Sequence, residues 1–305
     1  MSEMKWLKST QFLEFSVVNR VARITLNRPD KRNALSKALL TELDQALHEA
    51  DDRVDVRCVI LQGAGKDFCA GYDVVATPAY SGDGGVAPQC AAGGVQYRGS
   101  AKYDDDAWGL ERMQDLRMFL FDMHKPVIAR VHGNCIAGGT DLALLCDFVI
   151  AANEARIGFP ATRMQGSPPN HMWLYHVGPQ WTKRMLMTGD LIRGRDAARI
   201  GLALKSVPMA RLDAEVDFLA ARLAAVDADL LAAQKRITNT GLELMGARTM
   251  QRLAAEMDAR AHLSEARDVF RGEFVKHGLK AALKMRDEPF GDEPIELDDP
   301  SSEKK

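Results

Sequence analysis

The chain of 305 residues carries 40 Lys and Arg against 42 Asp and Glu, which leaves a formal net charge of -2. Nearly balanced charge and 46% hydrophobic residues are typical of an ordinary globular protein, and they give no electrostatic case for binding nucleic acid. The most apolar stretch, residues 127–152, is interrupted by charged side chains, so it lacks the roughly 18 uninterrupted apolar residues of a membrane span. Residues 1–10 show no secretory signal pattern, and we therefore expect a cytoplasmic protein.

The cysteines follow neither a metal-binding nor a redox spacing, and their number is odd. Most of them lie in apolar runs, where a thiol fills space as a small hydrophobic group. The sequence therefore predicts free thiols and no metal site. The five cysteines are Cys58, Cys69, Cys90, Cys135 and Cys146.

The first third of the chain reads as a β-α-β pattern. Two runs rich in Val, Ile and Phe are separated by Asn19-Arg20, which suits a tight hairpin turn. Leucines then recur at helical spacing, and an apolar run follows them. The predicted elements are a strand at 12–18, a strand at 21–26, a helix at 36–50 and a strand at 56–62.

Two further apolar strands, at 127–131 and 147–152, flank a helical run at 140–146 that follows Gly138-Gly139. Asp147 is expected to order the strand that follows it rather than to take part in catalysis. Beyond residue 178 the pattern is helical almost throughout. Alternating strands and helices imply a layered α/β core over residues 1–205, followed by a helical region at 206–287. The amphipathic stretches of the last third are 211–226, 228–240 and 248–285.

Two segments break this regularity. Residues 77–106 collect Gly, Ser, Pro and Asp, which predicts a long mobile loop, either a functional lid or a disordered insertion. Residues 288–305 are acidic and contain Pro, which predicts a disordered tail.

Three glycine-containing segments, 68–73, 133–141 and 157–160, each follow or border a predicted strand. Glycine lets the backbone approach a ligand, so two such turns can direct peptide N–H groups at one anionic oxygen. A glycine pair at a helix start adds the partial positive charge of that helix end. The combination indicates an oxyanion hole; the alternative is that these glycines only make tight turns or close contacts.

These segments belong to an ordered set of motifs that resembles the crotonase (enoyl-CoA hydratase/isomerase) superfamily over roughly residues 12–285. The order and spacing of the whole set carry the resemblance, because Ala-Gly-x-Asp alone is a weak signal. The motifs are Asn27–Leu35, Phe68–Asp73, Lys125–Gly133, Gly138–Ala151 and Arg195–Leu202.

The resemblance implies a spiral of β-β-α turns closed by C-terminal helices that trimerise, as a homotrimer or a dimer of trimers. It also implies acyl-coenzyme A thioesters as substrates, with no metal or redox cofactor. The oxyanion hole maps to the backbone amides of Tyr72 and Gly138. The coenzyme A channel maps to Ala70 and to the segment from Arg28 to Asn33. Lys31 or Arg32 is expected to pair with phosphates, or else to be an ordinary solvated charge.

The chain departs from the hydratases of that family at both catalytic carboxylates. Hydratases use two glutamates to hold and protonate water, whereas the matching positions here are Asp141 and Ala161. Alignment at the second position is open to a one-residue slip. The nearest titratable substitutes are Arg163 and His171, of which His171 can act as an acid or base near neutral pH.

Other interpretations of these residues stay open. Asp141 is either the proton-transfer group or a helix-end residue, and His171 is either an active-site group or an ordinary loop histidine. The loop at 77–106 offers further polar side chains as candidate active-site groups. These are Tyr97, Tyr103 and residues 104–106.

The function expected from the sequence is an enzyme of the enoyl-CoA hydratase/isomerase type that stabilises an enolate. Because Ala161 carries no proton, we expect hydration of simple 2-enoyl thioesters to be slow or absent. The alternatives are an isomerase or another reaction with a single acid/base, or a catalytically silent acyl-coenzyme A binding protein.

Overall fold

The computed structural model describes residues 4–74, 103–291 and 293–297. Its strands in chain order are β1 Leu13–Val18, β2 Val21–Leu26, β3 Cys58–Gly63, β4 Val127–Val131, β5 Asn134–Ile136, β6 Phe148–Ala152, β7 Arg156–Gly158, β8 Leu191–Arg193 and β9 Lys205–Val207. Its helices are α1 Lys37–Asp52, α2 Tyr103–Asp122, α3 Gly138–Ala143, α4 Trp173–Thr188, α5 Gly194–Arg199, α6 Met209–Ala224, α7 Ala228–Leu244, α8 Ala247–Ala261 and α9 Glu265–Asp287. Short 3₁₀ turns lie at Pro29–Lys31, Pro160–Arg163 and Glu288–Phe290.

The described strands form two sheets. The larger sheet has the order β1-β2-β3-β4-β6-β9, with β1 antiparallel to β2 and every later neighbour parallel. The smaller sheet has the order β5-β7-β8. Strands β3 and β4 are buried along nearly their whole length, as expected for parallel strands covered on both faces. The predicted α/β class is confirmed.

The opening hairpin is confirmed, and its turn explains why. Asn19 and Arg20 both have positive φ, 51° and 66°, as the two central residues of a type I′ turn require. The predicted helix that follows becomes α1, whose first turn is capped by the Ser36 hydroxyl accepting from the Leu39 amide at 3.3 Å.

Asp147 was predicted to order the strand that follows it, but its carboxylate contacts the start of the neighbouring strand β4 instead. Its Oδ2 accepts from the Val127 amide at 2.7 Å and from the Lys235 ammonium at 2.8 Å. The carboxylate therefore ties the start of β4 to α7 in the helical region.

Three sequence expectations differ from the structure. The predicted loop at 77–106 ends earlier than expected, because α2 already begins at Tyr103; residues 77–102, with Tyr97, lie outside the described residues. The helical pattern after residue 178 is interrupted by β8 and β9, whose three-residue length is too short for a periodic signal. The stretch at 248–285 is two helices, α8 and α9.

The first part of the predicted disordered tail makes ordered contacts. Ile295 donates its amide to the Leu191 carbonyl at 2.7 Å and forms a β-bridge with Ile192. Arg193 pairs with Glu293 at 3.1 Å. These contacts join residues far apart in sequence, so local composition does not reveal them; residues 298–305 lie outside the described part.

The four cysteines within the described residues are free and buried, which confirms the thiol prediction for them; Cys90 lies outside the described residues. They are Cys58, Cys69, Cys135 and Cys146. No helix in the described ranges is long and apolar enough to cross a membrane. A cytoplasmic location stays a prediction.

Candidate functional site

The segment around Tyr72 is clamped between two neighbouring loops. Leu35 donates its amide to the Gly71 carbonyl at 2.8 Å, and Asp73 donates to the Leu35 carbonyl at 3.1 Å. On the other side, Cys69 donates to the Asn134 carbonyl at 2.9 Å. Gly71 has φ +104°, a conformation that a side chain would strain. The backbone at Tyr72 is therefore fixed by its neighbours.

The turn into α3 brings Gly138 against this segment. Ala137 immediately before it has φ 50° and ψ -117°, a sparsely populated conformation for a residue with a side chain. A Cβ at Gly138 would lie 3.0 Å from the Tyr72 ring, and one at Gly139 would lie 2.6 Å from the Cys69 carbonyl oxygen. Both glycines therefore allow a close approach that a larger residue would prevent.

The amides of Tyr72 and Gly138 are the predicted oxyanion donors. Within the described residues, neither N–H donates to a backbone acceptor. A Cβ at Gly71 would lie 3.6 Å from the Gly138 nitrogen, which shows how close the two loops are. Gly138 also opens α3, so its amide is one of the N–H groups that a helix leaves unpaired. These are the features an oxyanion hole needs.

Asp141 lies one turn into α3 and is almost fully buried, with 2% exposure. Its Oδ2 accepts from the Tyr72 hydroxyl at 2.5 Å, whereas its Oδ1 is buried without a partner among the described residues. Burial raises the pKa of Asp141 to about 7, although the charge of Arg117 and the Tyr72 hydrogen bond both lower it. Near neutral pH this carboxyl can therefore either accept or donate a proton.

The Tyr72 side chain is a site residue that sequence reasoning missed, since only its amide was predicted. Burial raises the pKa of the Tyr72 phenol well above its usual value, so the hydroxyl stays protonated and remains a donor. It thereby orients Asp141 and stabilises the charged form of that carboxylate. Its partner lies 69 residues away in the chain, so no sequence spacing reveals the pair.

Arg117 on α2 is the second missed residue. Its guanidinium carbon lies 5.4 Å from the centre of the Tyr72 ring, and its side chain is 1% exposed. Its Nε donates to Asn170 Oδ1, while Nη1 and Nη2 are buried without a partner among the described residues. In the sequence, only its position within the otherwise apolar run Leu116–Phe121 sets this arginine apart.

His171 follows Asn170, but no described contact joins its side chain to Asp141. Its backbone amide donates to Gln251 Oε1 at 2.9 Å, and its Nδ1 is buried without a partner in the described structure. Burial lowers the pKa of His171, which favours the neutral ring. The structure thus places His171 beside the Arg117 partner rather than in the Asp141–Tyr72 pair.

Ala161, which the resemblance matches to the second carboxylate of hydratases, is held in a short turn. Ala161 lies in the turn Pro160–Arg163, and its carbonyl accepts the amides of Met164, Gln165 and Gly166. Arg163, considered above as a substitute, pairs with Asp287 at 2.9 Å and Asp190 at 3.4 Å. Its guanidinium therefore holds the turn to neighbouring elements and is not a free acid or base.

A partly buried cluster of titratable side chains lies against Ser167. Asp258 on α8 accepts from the Ser167 amide at 2.8 Å and lies 3.4 Å from His262, which contacts Asp106 at 2.6 Å. Burial raises the pKa of Asp258 to about 6. Asp106 and Tyr103, predicted as loop groups, are residues of α2, and the Tyr103 hydroxyl donates to the Glu256 carbonyl at 3.3 Å.

In the predicted coenzyme A segment, one basic side chain is paired within the protein and two are exposed to solvent. Arg28 pairs with Asp73 at 2.9 Å and donates to the Ala34 carbonyl, so its guanidinium holds the Tyr72 loop and is not a free phosphate ligand. Lys31 and Arg32 are exposed. The Ala70 amide donates to the Arg32 carbonyl at 3.0 Å, which links the exposed pair to the Tyr72 loop.

No group of three or more His, Cys, Asp and Glu side chains within the described ranges is arranged to hold a metal ion. The expectation that the protein needs no cofactor stays a prediction.

Comparison with known proteins matches residues 17–82 and 84–292 to the enoyl-CoA hydratase/isomerase family model. A crotonyl-CoA hydratase from Syntrophomonas wolfei is 30% identical over 276 residues, covering 89% of this chain and 94% of that protein. A putative enoyl-CoA hydratase from Thermus thermophilus is 30% identical over 274 residues, covering 88% of this chain and 97% of that protein.

Solved structures show the same fold. An enoyl-CoA hydratase from Mycobacterium smegmatis superimposes with a TM-score of 0.83 at 35% identity, covering 92% of this chain and 95% of that one. An enoyl-CoA hydratase/isomerase from Xanthobacter autotrophicus also gives 0.83, at 31% identity, covering 93% and 100%. The predicted crotonase-type architecture is confirmed. The chain belongs to the enoyl-CoA hydratase/isomerase family.

Proposed function

We propose that the protein is an enzyme that binds an acyl-coenzyme A thioester and forms its enolate, with Asp141 as the proton-transfer group. The observation that carries the proposal is the hydrogen bond between buried Asp141 and half-buried Tyr72, beside two amides that have no backbone acceptor among the described residues. The thioester oxygen accepts from the Tyr72 and Gly138 amides. Asp141 takes the α-proton, and the electron pair of the C–H bond moves toward that oxygen. Loss of one such donor costs roughly 3–4 kcal/mol in other oxyanion holes.

The side chain of Asp141 offers the right oxygen for this transfer. Oδ2 is occupied by the Tyr72 hydroxyl, which leaves the unpartnered Oδ1 to receive the proton. Return of the proton to the same carbon gives exchange, and return to the γ-carbon of an enoyl group gives isomerisation. Both reactions need one acid/base only, which agrees with a methyl group at Ala161.

Exposed Lys31 and Arg32 are proposed to pair with phosphates of coenzyme A, and Ala70 to line its channel. Arg28 acts by positioning the Tyr72 loop. No metal or redox group takes part in the proposed steps.

Assembly as a homotrimer or a dimer of trimers is also proposed. Large apolar side chains are exposed along α7, α8 and α9, as expected of helices that pack against another subunit. Multi-angle light scattering tests this, and a monomeric mass would contradict it. The exposed side chains are Leu230, Ile237, Leu244, Leu253, Met257, Val269 and Val275.

The experiment is α-proton exchange in deuterated water, with butyryl-coenzyme A as the probe and mass spectrometry as the readout. The proposal expects enzyme-dependent incorporation of deuterium at the α-carbon, and binding in a parallel calorimetric titration. Binding without exchange favours the silent binding protein, the alternative that the missing second carboxylate supports. Absence of binding by any thioester at millimolar concentration removes both.

A crotonyl-coenzyme A hydration assay completes the test. We expect exchange to be faster than hydration, because no second carboxylate holds the attacking water. Hydration in the usual enzyme range of about 1–1000 per second would show that the inference from Ala161 is wrong.

A further inference from the structure

The guanidinium of Arg117 is an unusual group to find next to an acyl site. Its side chain is 1% exposed, and both Nη atoms are buried with no hydrogen-bond acceptor in the described structure. Charged donors in a protein interior are normally paired, because burial removes their water. Nη1 and Nη2 form the outer edge of the planar fork that binds carboxylates with two parallel bonds.

Arg117 lies next to the proposed site because it contacts the Tyr72 ring. The guanidinium carbon lies 5.4 Å from the centre of the Tyr72 ring, and that ring lies against Gly138, one of the proposed oxyanion donors. The charge of Arg117 also acts on Asp141, whose pKa it lowers. Arg117 therefore borders the space in which the proposed reaction takes place.

No described carboxylate hydrogen-bonds to Arg117. Asp141 uses Oδ2 for Tyr72 and leaves Oδ1 without a partner, and Asp258 accepts from the Ser167 amide. Asn170 holds only the Nε of the guanidinium. Three atoms near the acyl side thus lack hydrogen-bond partners in the described part of the chain: both Nη atoms of Arg117 and Oδ1 of Asp141. An unbranched hydrocarbon chain would satisfy none of them.

We propose that the acyl group of the substrate carries a carboxylate, and that Arg117 binds this carboxylate through Nη1 and Nη2. The inference rests on the proposed function and names the substrate class of the same site. Asn170 acts as a positioning residue, because its bond to Nε fixes the plane of the guanidinium. With the anion bound to Arg117, Asp141 Oδ1 remains available for proton transfer.

The test compares thioesters of equal chain length that differ only in a terminal carboxylate. Calorimetry gives the dissociation constants of malonyl- and propionyl-, succinyl- and butyryl-, and glutaryl- and valeryl-coenzyme A. Because a bidentate charged pair discriminates strongly, at least one dicarboxylic member should bind about 10-fold or more tightly than its match. Equal affinities within all three pairs overturn the inference and leave the proposed function standing. Failure of all six thioesters to bind removes the proposed function itself.

Variants then assign the preference to Arg117. Arg117→Met should abolish the preference while uncharged thioesters still bind, and Arg117→Lys should weaken it, since an ammonium keeps the charge but loses the fork. The matched control is Arg112→Met on the same helix, whose guanidinium lies over Trp108 and is not buried at the site. A preference that survives in Arg117→Met overturns the assignment. If that variant does not fold, an unchanged preference in Arg117→Lys overturns it.

Discussion

Two positions of this chain, Asp141 and Ala161, match the catalytic carboxylates of hydratases. Their surroundings differ. At the first, Asp141 is buried against Tyr72 and influenced by Arg117, and burial raises its pKa to about 7. At the second, Ala161 offers only a backbone carbonyl to three amides of its own turn. The proposed function assigns proton transfer to the first region only. If it is correct, the chain keeps what enolate formation needs without the second acid of a water site.

The largest expected effect is at the first region. Asp141→Asn should lower the rate of α-proton exchange on the order of 100-fold or more, the usual contribution of a positioned acid or base. Thioester affinity should stay within a few-fold, because the backbone donors are untouched. Mass spectrometry and calorimetry measure the two quantities. Asp217→Asn, at an exposed carboxylate that pairs with Arg23, is the control. Full exchange activity in Asp141→Asn would make Asp141 a helix-end residue only.

The second prediction restores the missing carboxylate. Ala161→Glu should raise the rate of crotonyl-coenzyme A hydration by about 10-fold over the wild type, because a general acid or base contributes at least that much when placed near its substrate. Ala161→Gln has the same shape without a titratable group and is the matched control. An equal rise in both variants would mean that the gain does not come from proton transfer.

The third prediction concerns the link between Tyr72 and Asp141. The Tyr72 hydroxyl lowers the pKa of Asp141, so Tyr72→Phe should raise that pKa, by about one unit for a hydrogen bond to a charged group. The exchange rate is expected to rise with pH as Asp141 loses its proton, and this rise should then move to higher pH. At pH 7 the exchange rate should fall about 5-fold. The exchange rate measured from pH 5 to 9 checks this. A lower rate with an unmoved midpoint would contradict a role in setting the pKa.

Asp141 also makes stability depend on pH. Its pKa is raised from 3.8 in the unfolded chain to about 7 in the folded one, so folding favours the protonated form. This contribution is fully present below pH 4 and is lost as the pH rises to about 7. Between pH 4 and 7 the free energy of unfolding should decrease more in the wild type than in Asp141→Asn. The extra decrease should be a few kcal/mol, on the order of 1.4 kcal/mol for each unit by which the pKa is raised. Urea denaturation at pH 4, 5.5 and 7 measures the difference, and parallel curves would contradict it.

The backbone amides and Asp141 could be named as candidates from the sequence, whereas the side chains that surround Asp141 could not. Gly138 and the Tyr72 amide belong to local motifs, whose turns depend on residues close in the chain. The hydroxyl of Tyr72 and the guanidinium of Arg117 meet Asp141 only through the tertiary fold. The same reason applies to Arg28: the resemblance placed it in the segment that lines the coenzyme A channel, but its pairing with Asp73, distant in sequence, could not be predicted. Likewise β9 enters the main sheet through its pairing with β6, not through its own three residues.

The smallest expected effect on activity is at Arg163, beside Ala161. Its side chain is 6% exposed and pairs with Asp287 and Asp190, so Arg163→Met should destabilise the fold by about 2 kcal/mol while leaving α-proton exchange unchanged. The cost lies below that of a fully buried pair, because both carboxylates keep some contact with water. Urea denaturation measures the loss. Arg184→Met is the matched control, since Arg184 pairs with the same Asp190 but is 45% exposed and should contribute less than about 1 kcal/mol. If Arg163→Met instead loses exchange as strongly as Asp141→Asn at a temperature where it is folded, the turn at Ala161 takes part in proton transfer, and the division between the two regions is wrong.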